Sequence, residues 1–170
     1  MHGLKIPHKS ASACKQNHSM KGLLGFPLLL SLFGLGVIAN PPAGDGTIIR
    51  GYEPPKSSYS SGHRGIDLAA ELDEFVYSPI SGRVHFAGYV VDRPVVTIAT
   101  ATILMSFEPV QSFVGMGTSV KRGEIIGWIA RGGHCDQRCL HVGVRRITPR
   151  AYLDPFPYLL GLPRLLPTKP

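Results

Sequence analysis

Residues 75–107 read FVYSPISGRVHFAGYVVDRPVVTIATATILMSF, and this stretch decides the fold class. Phe75-Val76-Tyr77 is a short β-rich run that ends at Ser78-Pro79. Ser81-Gly82 marks a turn, and Arg83–Val90 follows as a longer strand. Asp92-Arg93-Pro94 marks a second turn before Val95–Ile98, and Ile103–Phe107 comes next. Apolar and β-branched runs of this length, separated by Gly, Pro, Asp and Ser, specify antiparallel strands joined by tight turns. Outward from this centre, the same signals recur at Thr47–Arg50, Gly65–Leu68, Ile125–Ala130 and Leu140–Val144. No segment carries a sustained 3.6-residue stripe; the nearest, Leu159–Leu166, is broken by Pro163. The expectation is an all-β protein, a two-layer antiparallel sandwich or open barrel.

Composition agrees and narrows the function classes. The chain has 170 residues, with 20 Gly, 15 Pro and only 17% charged residues. That excludes a disordered polyelectrolyte, and the low helical periodicity excludes a helical bundle. The net charge is +7. Four lysines (Lys5, Lys9, Lys15 and Lys21) fall in residues 1–39, which contain no acid, so the rest is only mildly basic. No Lys/Arg stripe interleaved with aromatics is present, and nucleic acid is not an expected partner.

Four regions are expected. Residues 1–39 combine lysines, the apolar run LLGFPLLLSLFGLGVIA and a small-residue exit at Ala39, the pattern of a secretory signal or an N-terminal anchor. Met20-Lys21 would make the tidier start for such a leader. Residues 40–62 are a Pro/Gly/Ser-rich surface lead-in, 63–155 the β domain, and 156–170 an apolar, proline-rich tail. The remaining chain is then extracytoplasmic, and membrane contact is expected only through the N-terminal apolar segment. Cys135 and Cys139 are an even pair in an oxidising compartment and are expected to form a small-loop disulfide.

Two strands carry the chemistry. In Gly62-His63-Arg64-Gly65-Ile66-Asp67-Leu68, alternation places His63, Gly65 and Asp67 on one face and Ile66 and Leu68 on the other. In Cys139-Leu140-His141-Val142-Gly143 the same design puts Cys139, His141 and Gly143 together. Paired antiparallel, these strands would gather His63, Asp67 and His141. Two imidazoles and one carboxylate form a catalytic zinc set with one position left open. A surface His–Asp hydrogen bond is the competing reading of the spacing alone.

The series GHRGIDLAA, VYSPISGRVHFAG, VVTIAT, SFEPV, GTSVKRGEIIGWI and CLHVGV resembles, in order, the lysostaphin/LytM-type zinc endopeptidases of cell walls. The resemblance runs from His63 to Val144. It implies a duplicated hybrid-motif fold, a Zn2+ held by His63, Asp67 and His141, and hydrolysis of peptide cross-links in peptidoglycan. It also implies two further histidines. Thr100 stands where one is expected after the VTI strand, and Cys139 replaces the first His of the His-x-His signature. A half-cystine can neither shuttle a proton nor donate a hydrogen bond. A catalytically attenuated homologue that binds peptidoglycan or regulates a hydrolase is therefore the alternative. His134, beside Cys135, is a candidate catalytic substitute; a solvent-exposed loop histidine is the plainer reading. His85 is expected to face outward, Trp128 to be half-buried packing, and Arg145-Arg146 to be a solvated strand end. VYSPISGRVHFAG and VKRGEIIG also look like half-repeats of biotinyl and lipoyl carrier domains, but no lysine lies between Lys56 and Lys121 to take the cofactor.

Overall fold

A computed structural model describes residues 41–160 except Ser58, Tyr59 and Asp136. The leader expected at 1–39 and most of the tail lie outside the described residues. Among the described residues eleven strands appear in chain order: β1 (Ile48–Arg50), β2 (Gly65–Ala69), β3 (Phe75–Tyr77), β4 (Gly82–Val90), β5 (Arg93–Ala99), β6 (Ile103–Glu108), β7 (Val110–Ser112), β8 (Ser119–Val120), β9 (Ile125–Ile129), β10 (Cys139–Arg146) and β11 (Ala151–Leu153). One helical turn, α1 (Phe156–Leu159), follows; Asp154 Oδ1 accepts the Phe156 N–H just before it. Among the described residues, no helix is long and apolar enough to cross a membrane.

The strands form two antiparallel sheets. The larger runs β1-β2-β10-β6-β5-β4-β8, with β11 also paired to β10; the smaller runs β3-β9-β7. This is the expected all-β architecture. All the strands expected from the sequence are present, within a residue or two at their ends. The short strands β7, β8 and β11 were not expected; two or three residues are too few for a period-2 pattern to register.

Alternation explains which side chains meet. Ile66 and Leu68 of β2 and Leu140 and Val142 of β10 are 0–1% exposed and share the core with Val96, Phe107 and Ile126. Fully burying such side chains contributes about 1.5–3 kcal/mol each, so these strands cannot slip register without turning that face to water. Ala43 of the lead-in is also in the core, and the Tyr77 N–H donates to the Pro42 carbonyl. The lead-in is thus packed against the domain rather than lying loose on its surface. His85 sits at a register shift in the β4–β5 ladder and is exposed, as expected. Trp128 is half-buried, its ring 4.6 Å from that of Phe113.

Candidate metal site

The face of β2 and β10 opposite the core carries the polar residues. In the β2–β10 ladder Asp67 is directly across from His141, and Gly65 is across from Gly143. Gly65 is there because nothing larger fits: an added Cβ would lie 2.3 Å from the Val142 carbonyl oxygen and 2.6 Å from the His141 ring. His63 precedes β2 and is fixed by an isolated bridge to Glu53, with backbone hydrogen bonds of 2.9 and 3.0 Å in both directions.

These placements bring His63, Asp67 and His141 together. His63 Nε2 is 3.1 Å from Asp67 Oδ1 and 3.1 Å from His141 Nδ1, and His141 Nδ1 is 2.7 Å from Asp67 Oδ1. His63 and Asp67 are 5% and 3% exposed, so the cluster is not a surface ion pair. Burial by itself would raise the Asp67 pKa. Hydrogen bonds and charge from His141 and His134 outweigh it and hold the carboxyl below its ordinary value.

The lead-in supplies what the sequence could not name. His63 Nδ1 is 2.7 Å from the Gly51 carbonyl oxygen, which can only accept. Nδ1 therefore donates its proton to Gly51, which leaves Nε2 facing Asp67 and His141. Electron-pair donors that face one another repel unless a proton or cation lies between them. Two imidazole nitrogens and a carboxylate suit a borderline-soft ion such as zinc, so the residues present fit the metal.

His134 joins the same cluster: its Nε2 is 3.1 Å from both Asp67 oxygens. It lies on the loop after β9, where Cys135 and Cys139 form the expected disulfide. Thr100 is elsewhere. It closes the β5–β6 turn, where its hydroxyl oxygen accepts the Ile103 N–H at 3.1 Å, and its hydrogen bonds stay within that turn. The residue across the ladder from His141 is Glu108, whose carboxylate is 2.8 Å from Arg93 Nε. Glu108 was missed because it stands alone before Pro109, with no spacing to mark it. His141, Glu108, Arg93, Thr97, Ser106 and Arg145 line a groove of about 570 Å³ on the outer face of the larger sheet.

Comparison with known proteins gives these features a family. The chain is 33% identical over 156 residues to an uncharacterized protein of Mycobacterium bovis, with 88% of this chain and 57% of the relative covered. The same figures hold for uncharacterized proteins of two Mycobacterium tuberculosis strains. The chain therefore spans a little over half the length of the curated relatives it matches. Among solved structures, the catalytic domain of the antimicrobial peptidase lysostaphin from Staphylococcus simulans is similar, with a TM-score of 0.59 at 22% identity, covering 67% of this chain and 92% of that one. A zinc-containing peptidase from Vibrio cholerae has a TM-score of 0.55 at 21% identity, covering 66% and 37%. These likenesses show the fold. The family model for peptidase family M23 matches residues 61–155, more than half of the sequence, and on that ground the chain belongs to peptidase family M23.

Proposed function

We propose that this chain is a secreted zinc-dependent hydrolase of peptide cross-links in peptidoglycan, with the ion held by His63, Asp67 and His141. The observation that carries the reading is His63 Nε2, its ring held by Gly51 and directed at a buried carboxylate and a second imidazole. When bound, zinc supplies Lewis acidity: it polarises a carbonyl and lowers the pKa of water.

The chain's own residues do the rest. The Gly51 carbonyl orients His63. Asp67 contributes the negative charge that offsets part of the ion's. The groove beside His141 offers the Glu108 carboxylate and the Arg93 guanidinium for the polar groups of an extended peptide, and Arg145 at its far end suits a stem-peptide carboxylate. The N-terminal lysines and apolar run support export to the cell envelope.

The purified chain should carry one zinc and release new amino groups from cross-linked peptidoglycan. Absence of bound zinc, or of amine release with zinc present, counts against hydrolysis. Zinc without turnover favours the second reading, a binding or regulatory module. Cys139 supports that reading, because its sulfur is locked in a disulfide beside the metal ligands. General acid–base help typically contributes about 10²- to 10⁴-fold in rate, and its loss would leave a groove that binds without efficient cleavage.

A further inference from the structure

The loop that presents His134 is built more tightly than a surface connection requires. Gly132 has φ +114° and Gly133 φ +67°, conformations that side chains rarely adopt. A Cβ on Gly132 would lie 2.3 Å from the Asp92 carbonyl oxygen, and one on Gly133 would lie 2.6 Å from Arg93 Cδ. The loop is therefore pressed against the β4–β5 turn, where only glycine fits. On the other side of His134, the Cys135–Cys139 disulfide ties the loop to the first residue of β10.

What this segment holds in place is an imidazole nitrogen at ligand distance. Zinc bonds of about 2.0–2.1 Å in a tetrahedron separate neighbouring donors by about 3.3 Å. His134 Nε2 is 3.1 Å from each Asp67 oxygen, and Asp67, His63 and His141 are spaced from one another by 2.7–3.1 Å. The donor atoms of all four residues lie within 4.8 Å of one another. The His134 ring stands edge-on to both other imidazoles, with centroids 5.1 Å from His141 and 5.9 Å from His63. A half-exposed histidine making one surface hydrogen bond needs none of this.

We infer that His134 is a fourth protein ligand of the ion, delivered by the glycine-pinned, disulfide-tied loop, so that the resting site is closed. The inference rests on the zinc reading of His63, Asp67 and His141. Three protein ligands with an open position mark catalytic zinc sites, and four mark closed ones. In this chain a substrate carbonyl gains the ion only when the loop carries His134 aside.

The test loads the chain with zinc for X-ray absorption and with Co2+ for visible absorption, using azide as a probe of an open position. The wild-type chain should show three imidazoles on zinc and a cobalt spectrum that azide leaves unchanged. His134→Ala should keep the metal with weaker affinity, lose one imidazole and gain an azide response. Two imidazoles and an azide-sensitive spectrum in the wild type would overturn the inference while leaving the three-ligand site intact. A wild-type chain that binds no zinc would overturn the three-ligand site and this inference together. Should His134→Ala fail to fold, the wild-type imidazole count and azide response decide alone.

Discussion

The polar cluster has two halves that are held by different physics. His63, Asp67 and His141 belong to strands or to a residue bridged beside one. Their positions follow from the β2–β10 register and from Ile66, Leu68, Leu140 and Val142 buried on the reverse face. Moving any of them disturbs the core. His134 belongs to a loop, and local devices fix it: two glycines against Asp92 and Arg93, and one disulfide. A loop donor can be displaced while the sheet stays whole. The difference separates a part of the site that is as stable as the domain from a part that rests on local devices alone.

Four experiments sharpen or break this division. The largest effect is expected from Asp67→Ala, which removes the donor shared by all three histidines; stoichiometric zinc should be lost on metal analysis, and any peptidoglycan cleavage with it. Zinc retained at full occupancy would mean the strand half is not the metal site. Next is Gly65→Ala. Its new Cβ meets a backbone carbonyl and the His141 ring, so thermal unfolding should report a loss near the top of the ~1–3 kcal/mol range for overpacking, together with weaker zinc binding. Unchanged stability would deny the close approach on which the strand half depends.

The loop half should answer more mildly. Replacing Cys135 and Cys139 by serine releases a constraint across a sequence separation of 4, about 2 kcal/mol by the chain-entropy estimate. Zinc should remain while the cobalt spectrum becomes azide-sensitive; loss of zinc would show that the two halves are not separable. The smallest effect concerns Asp92. Its carboxyl lies below its ordinary value because the Arg93 guanidinium, 3.0 Å away, donates to it. A lowered folded-state value means that this contact, on the turn against which Gly132 and Gly133 are pressed, is intact above 3.8 and is lost as pH falls through the lower folded value. The Arg93 side-chain N–H resonances should therefore titrate with a midpoint below 3.8, and Asp92→Asn should abolish that titration.

The outcome at particular residues shows how far local pattern reaches. Alternation placed Ile66 and Leu68 inward and Asp67 outward, because period 2 is a property of a single strand. It placed His141 on the matching face of β10 for the same reason. Thr100 and Glu108 show the limit. The resemblance suggested Thr100 for the site, yet it closes a turn, and the β10–β6 register brings Glu108 beside His141. Register between strands depends on turn geometry and the packing of both partners, which no single segment encodes.

The sequence by itself determined the succession of the longer strands, the face on which His63, Asp67 and His141 lie and the Cys135–Cys139 pair, all of which depend on near neighbours in the chain. Only the tertiary structure decided that the Gly51 carbonyl holds His63, that Glu108 flanks His141 and that His134 reaches Asp67 from 67 residues away. Those contacts arise when separate segments are pressed together by a common core, and the burial that drives this carries no directional information about the polar groups it brings to the other face.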